Sequence, residues 1–139
     1  MPQDEISAQV MFGRSAGKLG RLETLQLAGA AAALATLETI EEDGLVSNAE
    51  ARGQQLRDGI MACGNPLFVS VRGRGLLDAV ELAHPCAHAA MNWVLEHGLI
   101  VNAVAPDALR LVPPLVVTEQ DIDQAISILA KIPTDLPND

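Results

Sequence analysis

From Leu22 onward the chain carries apolar residues at helical spacing. Leu27, Leu34, Leu37 and Ile40 recur on one helical face, with the run Ala30 to Ala33 of strong helix formers between them. Asp43-Gly44 then supplies a C-cap signal. Ser47 followed by Glu50 has capping-box spacing, which predicts a second helix running to about Cys63 and stopped by Gly64-Asn65-Pro66. Beyond it the period changes from helical to two. Phe68 to Val71 and Leu76 to Leu82 are predicted to pair as antiparallel strands, joined through Arg72-Gly73-Arg74-Gly75. His84-Pro85 opens a third helix with Ala87, Ala90, Met91, Val94 and Leu95 at i, i+3, i+4, i+7 and i+8, closed by His97-Gly98. Leu99 to Ala103 and Ala108 to Val112 are expected as short strands around Ala105-Pro106-Asp107, and Pro113-Pro114 ends the second. Thr118 caps a last helix whose apolar face is Ile122, Ile126 and Leu129.

This order of elements predicts an α+β fold, a small mainly antiparallel sheet packed by helices, and does not alternate strictly enough for a doubly wound sheet. Residues 1–21 lack a sustained period and are expected to be a mobile lead-in. The folded domain is then 22–132, and the polar tail 133–139 is expected to fray.

Composition narrows the class. Hydrophobic residues make up 49% of the 139 and aromatics only 2%, so the core must be aliphatic. Nine basic against eighteen acidic residues leave a net charge of −9, without the basic footprint that nucleic acid or an anionic bilayer requires. The longest apolar stretch, around Leu27 to Leu37, falls short of the roughly 20 residues that span a bilayer, and Asp4 and Glu5 stand where a secretory signal would be positive. Cys63 and Cys86 form no CxxC pair. They are expected to be reduced thiols in a cytoplasmic protein rather than a disulfide.

Most chemical candidates are explained by ordinary structure. Gly13 to Lys18 has the outline of a phosphate loop, but only three residues separate its glycines and Leu19 follows the lysine where Ser or Thr would reach magnesium. Gly73 and Gly75 lack the third glycine of a dinucleotide fingerprint and serve a turn. His84, Cys86 and His88 are zinc-ligand types without a second cluster to complete a tetrahedral set, so no metal site is expected. His97 is placed at a helix C-terminus, where the dipole favours its charge. Asp78 shares a strand face with Leu76, Val80 and Leu82, so its carboxylate needs a partner or an open edge. Arg110 is the residue to which a function is assigned. Inside Leu109-Arg110-Leu111-Val112, just before two prolines, its guanidinium is held rigidly and offers a bidentate fork to a carboxylate; a solvated edge-strand arginine is the bland alternative.

Several segments together are similar to one family, the class III pyridoxal-phosphate aminotransferases. They are Ala30 to Ile40 with Asp43-Gly44-Leu45-Val46, then Val71-Arg72-Gly73-Arg74-Gly75-Leu76-Leu77, then Gly98 to Ala103, and finally Leu109 to Val117 with its Arg-Leu-Val-Pro-Pro core. The resemblance covers about residues 22–132 in the right order and implies the small C-terminal domain of a large fold-type-I aminotransferase. The implied reaction passes an amino group from N-acetylornithine to 2-oxoglutarate in arginine biosynthesis, with pyridoxal phosphate as cofactor. The family's carboxylate-binding arginine falls on Arg110.

The departures shape the expectation. The family's catalytic lysine and the aspartate facing the cofactor's pyridine nitrogen belong to a large domain that has no counterpart here. The only lysines are Lys18 and Lys131, and neither is expected to have the desolvated pocket of a Schiff-base lysine. The family's Thr-Phe-Gly-Gly-Asn-Pro segment, whose threonine reaches the cofactor phosphate of the neighbouring subunit, is represented by Met11-Phe12-Gly13-Arg14, with Leu25-Gln26-Leu27 near the place of Asn-Pro. The resemblance therefore implies a truncated enzyme with no catalytic or cofactor-binding residue of its own, inactive alone and holding no cofactor, with Arg110 as its substrate-binding residue. It implies an exposed apolar interface that meets a complementary large domain or a second copy. A non-catalytic interaction module and a remnant without a role are the competing readings.

Overall fold

The structure is a computed structural model that describes residues 20–139. The lead-in as far as Leu19 lies outside the described residues, and with it the Gly13 to Lys18 segment and Met11 to Arg14. The described part falls into two units, the first ending at Glu38 and the second comprising Thr39–Asp139.

Helix α1, Arg21–Glu42, begins one residue before the predicted domain start. Its first turn is closed by the Glu23 carboxylate, which accepts from the Gly20 amide at 2.8 Å. The helix exists where the alanine-rich run predicts it. Its expected face is not buried, since Leu34 and Leu37 are more than half exposed and no residue of the helix is buried.

In the second unit, α2 (Leu45–Ala62) starts earlier than the capping-box spacing implies. Gly44 is its N-cap, in the left-handed conformation at φ 61°, and no side chain caps the helix. Ser47, already inside the first turn, donates its hydroxyl hydrogen to the Gly44 carbonyl at 2.8 Å, so the Ser47/Glu50 capping box does not form. Strands β1 (Phe68–Arg74) and β2 (Leu77–Leu82) make the predicted antiparallel hairpin, but with a shorter connection. Arg72, Gly73 and Arg74 belong to β1, and the turn is Gly75-Leu76. The reason is tertiary. The hairpin end packs so closely on α2 that a Cβ at Gly53 would land on the Gly75 carbonyl, which brings the turn against the helix and leaves Leu76 buried at its tip.

Helix α3 (Ala87–Glu96) buries Ala87, Ala90 and Val94, while Leu95, expected on that face, is 55% exposed. Strands β3 (Asn102–Ala105) and β4 (Ala108–Leu111) follow, with β3 starting later than predicted because Leu99 to Val101 is irregular. Helix α4 (Glu119–Leu129) has the predicted Thr118 cap, here a full capping box with Asp121. All strand pairs are antiparallel and the sheet order is β1-β2-β4-β3. Helices α2 and α3 pack on one face of this sheet and α4 packs on α2, an α+β arrangement of two main layers.

The core between them is aliphatic as expected, centred on Leu56 and Ile60 of α2, Val80 and Leu109 of the sheet, Val94 of α3 and Leu129 of α4. Segment 133–139, expected to fray, is tied back onto α3. The Asp139 amide donates to the Pro85 carbonyl at 2.7 Å, and its carboxylate accepts from the His88 and Ala89 amides at the helix start. Those amides are the donors that the first turn leaves open, and their hydrogen bonds, the His88 amide foremost, hold the Asp139 carboxyl below its usual range.

Candidate functional site

Arg110 sits in β4 between Leu109 and Leu111, both buried. Alternation along the strand turns its side chain to the other face of the sheet, where it is exposed. β4 is an inner strand, hydrogen-bonded to β2 on one side and β3 on the other, so the backbone carrying Arg110 is held from both edges. Just past the two prolines the chain is pinned again. The Asn48 side-chain amide donates to the carbonyls of Leu115 (2.9 Å) and Val117 (3.0 Å), tying this segment to α2. Arg110 itself makes no ion pair or hydrogen bond among the described residues. An unpaired guanidinium on a backbone held from both edges is free to fork onto a carboxylate, at the cost of ordering its side chain.

The register shows what surrounds it. Arg110 is opposite Ala79 of β2 and Asn102 of β3, and Ala79 is opposite Arg72 of β1. Directly opposed residues project to the same face, so Arg72, Ala79, Arg110 and Asn102 form one row across the outer face. The Gly75-Leu76 turn sets this row. Sequence reading missed Arg72 because it placed that residue in the turn; strict alternation through Gly73 was the available signal. Asn102 lay inside the expected strand, but its place beside Arg110 depends on the β3–β4 register.

Asp78 belongs to the opposite, core-facing side and is 1% exposed. Its partner is Arg57 of α2, whose Nη1 donates to Asp78 Oδ1 at 2.9 Å and to the Gly75 carbonyl at 3.1 Å. The need for a partner is met inside the domain, by Arg57 and not by an open edge. The other oxygen, Oδ2, is buried with no hydrogen-bond partner among the described residues. Burial raises the Asp78 carboxyl above its ordinary value, and the Arg57 hydrogen bond and charge offset this only in part.

The remaining candidates play structural parts. His84 Nε2 donates to the Thr134 carbonyl at 3.2 Å, and His88 Nδ1 donates to the Asp139 carboxylate at 2.9 Å. Cys86 is fully buried, and that burial, with the Asp139 charge, pushes its thiol up. No group of three or more metal-ligating side chains converges among the described residues. Cys63 and Cys86 are both free. His97 caps the end of α3, donating from Nδ1 to the Trp93 carbonyl at 2.7 Å with its ring stacked on Trp93. An open groove of about 540 Å³ between Asp43, Leu45, Asn48, Arg52 and the Val116 to Glu119 segment does not include Arg110, and its Arg52 is paired with Glu119 at 3.3 Å. Lys131, the lysine within the described residues, is exposed just beyond α4. No helix of the described residues is long and apolar enough to cross a membrane.

The fold and the Arg110 segment are those of an aminotransferase domain: the model of the class III aminotransferase family matches residues 26–132, and the chain belongs to that family. Among curated relatives, it is 77% identical over 111 residues to the acetylornithine aminotransferase of Bifidobacterium longum, covering 80% of this chain and 26% of that protein. It is 48% identical over 103 residues to the acetylornithine aminotransferase of Mycobacterium bovis, covering 74% of this chain and 26% of that one. Among solved structures, the acetylornithine aminotransferase of Elizabethkingia anophelis superposes with a TM-score of 0.65 at 31% identity, over 72% of this chain and 28% of that one. The chain thus spans about a quarter of the length of the relatives it matches. The family implies pyridoxal phosphate in the full-length enzyme. Among the described residues, exposed Lys131 does not sit in the desolvated pocket that a Schiff-base lysine needs.

Proposed function

We propose that this chain is the C-terminal part of an acetylornithine aminotransferase-like enzyme of the cytoplasm, acting in arginine biosynthesis, and that it contributes the carboxylate grip through Arg110. The observation that carries the reading is the exposed, unpaired Arg110 on a doubly held strand, in a domain whose sequence is 77% identical to one acetylornithine aminotransferase. The reaction, amino transfer between N-acetylornithine and 2-oxoglutarate, also needs a lysine and a cofactor cradle. A complementary large domain supplies these, and the 139-residue chain does not transaminate or hold the cofactor by itself.

The contact with that domain is made by apolar positions that are open here: Leu77 and Val112 at 58% exposure and Ile100 at 82%. Self-association through the same residues is the expected behaviour when the partner is withheld.

The test is to mix the purified chain with the first three quarters of the Bifidobacterium longum enzyme and follow glutamate formation from N-acetylornithine and 2-oxoglutarate. Turnover is expected only in the mixture, and Arg110→Ala is expected to lower kcat/KM by about tenfold to a hundredfold, the loss of one charge-assisted hydrogen-bonded pair. Turnover by the chain alone, or an Arg110→Ala mixture as active as the unmodified one, refutes the reading.

A further inference from the structure

Segment 133–139 crosses from the end of α4 to the start of α3, and it is held differently along its length. At the base, the Asn65 side-chain amide donates to the Ile132 carbonyl at 2.9 Å, and the Ile132 side chain is buried. In the middle, Leu136 packs half-buried on the core and the His84 ring bridges Thr134 and Asn138. At the tip the attachment is a single residue. The Asp139 amide donates to the Pro85 carbonyl, and its one carboxylate accepts from the His88 amide at 2.9 Å, the Ala89 amide at 3.3 Å and His88 Nδ1 at 2.9 Å.

Helix α3 depends on that tip. Its N-cap is Cys86, whose side chain makes no cap hydrogen bond, a thiol being a weak acceptor. The amides that a serine or aspartate in its place would satisfy are those of His88 and Ala89, the second and third residues of the helix. Asp139 satisfies them instead, from 51 and 50 positions away. It thereby grips the chain on both sides of Cys86, at Pro85 before it and at His88 and Ala89 after it. Under this grip Cys86 is 0% exposed, and burial together with the Asp139 charge pushes its thiol up. Lifting the tip removes the cap, so the first turn of α3 loosens with it, while the base at Ile132 stays pinned by Asn65. Such an opening is local and needs far less free energy than global unfolding.

We propose that segment 133–139 is a strap latched by the Asp139 carboxylate, and that its opening, with the domain otherwise folded, is the event that admits reagents to the Cys86 thiol. Latched, the strap keeps Cys86 inert; open, it presents a nucleophile at the uncapped end of a helix.

The test uses the full 139-residue chain carrying Cys63→Ser, which leaves Cys86 as its one thiol, with dithiobis(nitrobenzoate) as the probe. The Cys86 thiolate attacks the probe's disulfide, forming a mixed disulfide and releasing one coloured thiolate, whose absorbance gives the rate. Asp139→Ala is expected to raise this rate by about tenfold to a hundredfold, through loss of the charge-assisted hydrogen bonds. Leu136→Ala, which loosens the strap and keeps the Asp139 charge, is expected to raise it by a smaller factor. Hydrogen exchange of the Ala89 amide should quicken in both variants. In the parent the rate should rise only weakly with urea below the unfolding transition, because a strap uncovers little surface. A rate that follows urea with the full slope of global unfolding would overturn the proposal, as would an Asp139→Ala chain that reacts no faster than its parent. Acceleration by Asp139→Ala alone, with Leu136→Ala silent and Ala89 exchange unchanged, would assign the effect to charge at the thiol and overturn it as well.

Discussion

Replacing Arg57 by Met tests the account of the buried pair most directly. Arg57 is 18% exposed and Asp78 not at all, so the substitution leaves a carboxylate in the core with neither oxygen paired. Removing one partner of a buried pair costs about 3–5 kcal/mol, and the partial exposure of Arg57, which admits some water, puts the expected loss near the lower end, about 3 kcal/mol at pH 7. That is a large share of the roughly 5–15 kcal/mol that holds a domain together. Urea unfolding followed by the fluorescence of half-buried Trp93 measures it, with the slope unchanged and only the midpoint lowered.

The pH dependence gives a second handle on the same pair. Asp78 has its folded-state pKa raised above the ordinary 3.8, chiefly by burial. A raised acid contributes stability that is present below 3.8 and is lost as pH rises through the folded value. In Arg57→Met the folded value rises further, so acidification neutralises the orphaned charge and the cost should shrink steadily toward pH 4. Asp78→Asn, which cannot titrate, should be most harmful in acid and least harmful near neutrality relative to the unmodified chain. A loss below about 1 kcal/mol for Arg57→Met at pH 7, or a cost independent of pH, would refute this account of the pair.

Two further outcomes are expected. Gly53→Ala should destabilise the domain by about 2–4 kcal/mol in the same urea assay, because its Cβ meets the Gly75 carbonyl and the hairpin must lift from α2; an effect within 0.5 kcal/mol would show that the turn gives way freely. Thr118→Ala should cost about 1 kcal/mol through loss of the α4 cap. Asp121, held below its usual range by the Thr118 hydrogen bonds, should contribute stability that is lost as pH falls through its depressed value; in Thr118→Ala that acid-range loss should be smaller, and an unaltered pH profile would contradict the assignment.

Much of the architecture was legible in residue order because it depends on local physics. The alanine-rich run, the Asp43-Gly44 stop, the Thr118 cap and the alternation in Leu77 to Leu82 each act within a few residues, so helix, break, cap and strand could be read where they occur. Arg110 was legible for the same reason: flanked by Leu109 and Leu111 in a strand, it had to face away from them. Tertiary contacts decided the rest. Whether Arg72 belongs to a turn or a strand depends on Gly53 admitting the Gly75 carbonyl, a contact that no local pattern announces. Asp78 finds Arg57 twenty-one residues away. The strand order β1-β2-β4-β3 puts Arg72 and Arg110 in one row, although 38 positions separate them in the chain. A chain's periodicity determines which way a side chain faces along its own element, whereas what stands beside it on the next strand or helix is set only by the register and packing of the folded domain.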